Sequence, residues 1–227
     1  MRADLTVTFG LPKLCLLTVP GWIFAGEVVV APINFPTELL EDATNPLNMA
    51  DTPDLRAWLP ARAADANKGH FGRVGIVAGS AECAGAAILC ARAALRSGAG
   101  LVTIFTPPAL NPVYKVALPE ATTAIVPSTS TDWLTEASAD EILRRAERMD
   151  VLAVGPGMGT GPSQAGLLAE IVRGFTGPLV LDADALTLLA GADCGPGLIE
   201  GRHNVVLTPH PGEMSRLTGL TTAQVQH

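Results

Sequence analysis

Arg73-Val-Gly-Ile-Val-Ala-Gly-Ser80, then Ala84-Gly-Ala-Ala-Ile-Leu-Cys-Ala-Arg-Ala-Ala-Leu-Arg96, then Leu101-Val-Thr-Ile-Phe105 read as strand, helix and strand in direct succession. The outer runs are apolar and rich in β-branched residues, which suits a strand buried on both faces. The middle run is alanine-rich on nearly every face. That suits close packing on a sheet, so most of its residues are expected in the core. Two strands joined by a helix pair in parallel, because the crossover carries the chain back to the starting edge.

The alternation continues to the end of the sequence. Strands are expected at Val74 to Ala78, Leu101 to Phe105, Thr123 to Val126, Val151 to Val154, Leu179 to Leu181 and Val205 to Leu207. Helices are expected at 84 to 97, 109 to 117, 138 to 148, 162 to 174, 184 to 190 and 212 to 218. The fold class is therefore α/β, a doubly wound and mostly parallel sheet with helices on both faces. Ligands of such sheets bind at the carboxyl ends of the strands.

Composition narrows the function classes. The 227 residues are 48% hydrophobic and 16% charged, as in a globular chain, and the net charge of -7 argues against a nucleic-acid backbone as partner. Four cysteines, Cys15, Cys83, Cys90 and Cys194, include no CxxC pair. Were Cys83 and Cys90 on one helix they would lie about 10 Å apart, too far for a disulfide, so a reducing compartment is expected. Pro20, Gly21, Gly26 and Glu27 interrupt the most apolar N-terminal stretch, which reads as neither a membrane span nor a signal peptide.

Residues 1–41 hold two β-type runs, Leu5-Thr-Val-Thr-Phe9 and Glu27-Val-Val-Val-Ala31, too little to fold alone. Residues 42–53 read as a linker, with a short capped helix from Thr52 to Leu59, and residues 54–227 as the main domain. Lys68 and His70 precede the first strand of the main sheet, which favours a structural role for them. His203 and Lys115 read as surface residues.

Four strand exits are expected on one edge of the sheet: Ala78-Gly-Ser80, Gly155-Pro-Gly-Met-Gly159, Asp182-Ala-Asp184 and Thr208-Pro-His-Pro-Gly-Glu213. Small residues there let a ligand approach the backbone. Gly79-Ser80 is equally an ordinary turn with a cap. The glycine run does not complete a dinucleotide fingerprint, since the third glycine position is Thr160, and neither GxxxxGK nor GxSxG occurs. Asp182 and Asp184 are either helix-start carboxylates or groups for a metal or polar ligand. In the last exit Pro211 suits a first helical position, and the helix it opens is expected to offer free backbone N–H groups to an anion.

Together these motifs resemble the NAD(P)H-hydrate dehydratase family, whose fold is ribokinase-like. The matching segments are Lys68-Gly-His-Phe-Gly, Val77-Ala-Gly-Ser80, Gly85-Ala-Ala, Leu95-Arg-Ser-Gly-Ala-Gly-Leu-Val102, Gly155-Pro-Gly-Met-Gly, Leu181-Asp-Ala-Asp-Ala-Leu186 and Thr208-Pro-His-Pro-Gly-Glu, from about residue 54 onward. Ala3-Asp-Leu-Thr-Val-Thr-Phe-Gly-Leu-Pro-Lys13 and Ala25-Gly-Glu-Val-Val-Val resemble the tail of an NAD(P)H-hydrate epimerase domain.

The resemblance implies dehydration of the S form of NAD(P)H-hydrate, with ADP as co-substrate in bacterial members, Mg2+, a cytoplasmic location and a homo-oligomer at full length. It implies that Ala86, Gly157 and His210 contact the hydrated nicotinamide nucleotide, with Asp184 and Glu213 as secondary candidates for polar or metal-linked roles. Family members continue into a lysine-glycine strand and a Gly-Thr-Gly-Asp helix start that carry the nucleotide site and an essential aspartate. The sheet is thus expected to be incomplete at the C-terminus, and residues 1–227 to lack turnover alone. Two alternatives stand beside this reading: a small-molecule kinase of the same fold, and a non-catalytic nucleotide-binding fragment.

Overall fold

The computed structural model describes residues 1–41, 49–59, 61–191 and 194–226. Most of the expected linker, residues 42–48, lies outside them. The chain divides into two units, Met1–Arg62 and Ala63–His227.

In the first unit β1 (Leu5–Phe9) and β2 (Glu27–Ala31) pair in parallel, Leu5 opposite Glu27 and Phe9 opposite Ala31. Short helices α1 (Leu14–Leu17) and α2 (Gly21–Ala25) make the crossover, and α3 (Thr37–Leu40) follows. These helices run only four or five residues, too short for an apolar period to announce them in sequence. The expected capped helix forms as α4 (Thr52–Trp58): the Asp54 amide donates to Asp51 Oδ1 at 3.1 Å, and the Asp54 carboxylate accepts from the Asp51 amide at 3.1 Å. Among the unit's described residues only Thr8 and Ala25 are buried, as expected of a segment too small to enclose a core.

The second unit is built on β3 (Arg73–Val77), β4 (Leu101–Thr106), β5 (Thr122–Ile125), β6 (Val151–Val154), β7 (Leu179–Leu181) and β8 (Val205–Leu207). Every neighbouring pair is parallel, in the order β5-β4-β3-β6-β7-β8. The connecting helices are α5 (Ala84–Arg96), α6 (Asn111–Ala117), α7 (Ala139–Ala146), α8 (Pro162–Gly174) and α9 (Asp184–Ala190), with α10 (Pro211–Thr218) and α11 (Thr222–Val225) after β8. Side chains alternate across the sheet and feed two cores. Ile76, Val102 and Ile104 pack with Ala87, Ala91 and Tyr114 of α5 and α6. Val77, Phe105, Leu152 and Val154 pack on the other face with Ile142, Leu167, Leu168 and Ile171 of α7 and α8.

One expectation needs correcting. Helix α5 buries fully only Ala87 and Ala91, and Leu89 on its outer face is 66% exposed. Alanine has too little side chain to declare a face, so a run of alanines resembles core whichever side meets the sheet.

At the edge strand β8, chain ends are held by side chains rather than by burial. The Arg202 guanidinium donates to the carbonyls of Val172, Phe175 (2.7 Å) and Gly177 (2.9 Å), and Asn204 Nδ2 donates to the Thr176 carbonyl at 2.8 Å. Those carbonyls belong to the end of α8 and the turn after it, where a helix leaves acceptors unsatisfied. Replacing Arg202 with Met keeps the aliphatic stem and strands these acceptors, so Arg202→Met should lower unfolding stability by about 2 kcal/mol in a urea titration.

Candidate functional site

The chain runs from β3 outward to β4 and β5, then returns to place β6 against the other side of β3. The connections leaving β3 and β6 therefore diverge, and a crevice opens between their carboxyl ends. All six strands point the same way, so the four glycine-, proline- and aspartate-rich exits share one edge, as the sequence led one to expect.

Backbone contact closes the floor of the crevice. The Gly79 amide donates to the Pro156 carbonyl at 2.8 Å, and the Gly155 amide donates to the Val77 carbonyl at 3.0 Å. Ser80 is fully buried, and its Oγ accepts from the Cys83 amide at 3.2 Å; it closes the turn that leads to α5, whose N-cap is Cys83, and does not cap the helix itself. At Gly155 a β-carbon would fall 1.9 Å from the Asp182 carbonyl oxygen, which no side chain survives. Gly157, at φ +67°, stands in the left-handed region, and a β-carbon there would lie 2.8 Å from Cys83 Cβ and 3.0 Å from Ala86 Cβ. Two residues far apart in sequence, Ala86 and Gly157, thus come into direct contact at the crossing, which only a residue without a side chain at 157 permits.

Asp184 opens α9, and its carboxylate accepts from the Gly159 amide at 2.8 Å. That bond ties the glycine loop to the exit of β7. Ala183, just before it, has φ +51°, a conformation that costs a non-glycine residue energy and persists only where its surroundings enforce it. Among the described residues no group of three or more His, Cys, Asp or Glu side chains comes together to hold a metal ion.

The Thr208-to-Glu213 loop folds on itself. Pro211 is the first residue of α10, as read from sequence, and His210 is its N-cap. The expectation of free amides for an anion is not met. Gly212 and Glu213 donate their amides to His210 Nδ1 at 3.0 and 3.4 Å, and the Glu213 carboxylate, 8% exposed, accepts from the His210 amide at 2.9 Å. A histidine ring has satisfied the helix start that an anion would have used. With Nδ1 accepting, the ring proton sits on Nε2, 3.3 Å from Glu213 Oε1, and the side chain is 62% exposed. The strands that carry the Gly157 and His210 loops, β6 and β8, lie two strand spacings, about 10 Å, apart along the edge.

Other residues fall where sequence placed them. Lys68 and His70 lie in a 3-10 turn, Lys68–Phe71, at the opposite edge, where the Gly100 amide donates to the Phe71 carbonyl at 2.9 Å. Lys115 and His203 are exposed, and Cys15, Cys83 and Cys90 are free thiols. Burial and the nearby Asp182 push the Cys90 thiol up, which suits an inert side chain. Two site residues went unnoticed in sequence. Cys83 sits one helical turn before Ala86, a spacing that announces a neighbour. Tyr114 approaches Gly79 from α6, and nothing in the linear pattern signals it.

A concavity of about 440 Å³ opens elsewhere, over the early residues of β4 and β5, lined by Thr103, Thr122, Arg144, Arg145 and Arg148 among others. It is not the site. Thr103 and Thr122 bond one another at 2.7 Å, and Arg144 and Arg145 both bind Glu141 at 2.6 Å, holding its carboxyl down to about 2. These are surface pairs that already satisfy each other.

The family model described as NAD(P)H-hydrate dehydratase matches residues 74–227. The chain is 38% identical over 226 residues to a bifunctional NAD(P)H-hydrate repair enzyme of Thermofilum pendens, covering all of this chain and 42% of that protein. Among solved structures, an ADP/ATP-dependent NAD(P)H-hydrate dehydratase from Bacillus subtilis, co-crystallised with ATP and Mg2+, superposes with a TM-score of 0.60 at 30% identity, covering 77% of this chain and 57% of that one. A ribokinase-like superfamily protein from Enterococcus faecalis superposes with a TM-score of 0.61 at 27% identity, covering 72% and 54%. The chain thus spans less than half the length of the repair enzyme it matches. Its sheet is the ribokinase-like one, and the chain belongs to the NAD(P)H-hydrate dehydratase family.

Proposed function

We propose that this chain forms the hydrated-nicotinamide side of an ADP-dependent NAD(P)H-hydrate dehydratase. The observation that carries the reading is the β3–β6 crossing, where the backbone of Gly157 meets Ala86 at the start of α5 with only hydrogen on the glycine. Residues 1–41 are then the end of an epimerase domain in the same repair enzyme, a reading supported by a bifunctional relative that aligns along the whole chain.

The chemistry suits such a site. Hydroxide is a poor leaving group, whereas a hydroxyl carrying the β-phosphoryl of ADP departs as phosphate, pushed out by the enamine nitrogen of the reduced ring. ADP becomes AMP, and the ring regains its double bond with loss of a proton. Such a reaction asks the protein for position and charge stabilisation more than for a covalent partner. Gly157 gives the ring close backbone approach, Ala86 leaves room for it, and His210 offers Nε2–H from the rim. Asp184 and Glu213 act on the site indirectly, one fixing the glycine loop and the other fixing the histidine. Magnesium, held on the nucleotide's phosphates, would supply charge neutralisation there.

Full-length protein given hydrated NADH and ADP should restore the absorbance of the reduced nicotinamide. Failure with both ADP and ATP would overturn the assignment, and a phosphorylated alcohol as stable product would replace it with a kinase. Gly157→Ala should raise KM for the hydrate at least tenfold, since the added methyl collides with Cys83 and Ala86; an unchanged KM would place the ring elsewhere. His210 separates by two variants. His210→Asn keeps a good N-cap and should weaken hydrate binding with little change in thermal midpoint, whereas His210→Ala should in addition lose about 1 kcal/mol of stability.

A further inference from the structure

Tyr114 is the only tyrosine in the sequence, and the proposed chemistry makes no use of it. It projects from α6 into the smaller core, 1% exposed, and its hydroxyl oxygen is buried without a hydrogen-bond partner. Buried phenols nearly always find a partner, because an unpaired hydroxyl in an apolar setting is unfavourable. Phenylalanine would fill the same space beside Ile76, Ala87 and Ile104 without that cost. Packing therefore accounts for the ring and not for the oxygen.

The position of the oxygen is informative. A β-carbon added at Gly79 would lie 2.5 Å from Tyr114 Oη and 2.9 Å from Ala87 Cβ. Only the absence of a side chain at Gly79 leaves room for the hydroxyl, and Gly79 is the residue whose amide spans the crevice to Pro156. The Cys83 carbonyl oxygen would stand 3.6 Å from that same added carbon, and 3.2 Å from the one at Gly157. The hydroxyl thus lies directly against Gly79, beside the first turn of α5 that Gly157 also meets. Burial pushes its pKa up to about 12, so it stays a neutral donor at any working pH.

We propose that Tyr114 is a positioning residue for the hydrated nucleotide: its hydroxyl stands unpaired against Gly79 and bonds to a carbonyl of the Gly79–Ser80 turn when the ligand is seated on that turn. The ligand then binds a turn that gains a hydrogen bond on closing, and part of its affinity comes from that bond. This rests on reading the crevice as the dehydratase site.

The test compares Tyr114→Phe with wild type in the full-length protein, by thermal unfolding with and without NADPH-hydrate and by KM for the hydrate and for ADP. The variant should unfold at the same temperature or higher without ligand, gain less stabilisation from the hydrate, and show KM for the hydrate raised about tenfold with KM for ADP unchanged. Equal hydrate stabilisation and equal KM in the two proteins would overturn the proposal while leaving the dehydratase reading intact. A midpoint several degrees lower without ligand, or KM values for hydrate and ADP that rise together, would overturn it by showing a purely structural hydroxyl. Wild type that gains no stability from the hydrate would sink the dehydratase reading and the proposal with it.

Discussion

The crossing of two backbones at the exits of β3 and β6 is the constraint on which the rest of the second unit depends. The hydrogen bond from Gly79 to Pro156 and the approach of Gly155 to the Asp182 carbonyl leave no room for side chains where the chain reverses its winding. Because both neighbours of that crossing are parallel strands, every exit loop arrives on the same edge, and the helices must leave on opposite faces. The crevice is a consequence of topology before it is a consequence of any side chain.

Around it the polar side chains mostly fix loops. Ser80 closes the turn before α5, Asp184 anchors the glycine loop, and Glu213 holds His210 at the head of α10. Preorganised loops of this kind hold geometry that mobile ones lose. Arg202 serves the same end at a distance, by tying the end of α8 to the approach of the edge strand that carries the histidine loop.

The fold was largely legible. The apolar runs at Val151 to Val154, Leu179 to Leu181 and Val205 to Leu207 form strands with the bounds read from sequence, and α8 begins at Pro162, where a proline after glycine announces a helix start. The alanine helix misled, because its faces differ only in what they touch. The short helices α1 to α3 left no periodic trace. At the site, glycines, prolines and carboxylates at strand ends marked the edge correctly, yet the linear pattern could not say that His210 would occupy the amides of its own helix.

By itself the sequence determined the strand and helix alternation, the parallel sheet and the residue types at its exits, because apolar period and turn chemistry are local properties. Only the tertiary structure decided that Ala86 meets Gly157, that Asp184 is committed to Gly159, and that the hydroxyl of the sole tyrosine ends unpaired against Gly79. Those facts depend on which strand lies beside which, and the order β5-β4-β3-β6-β7-β8 arises from packing two cores at once rather than from any one segment.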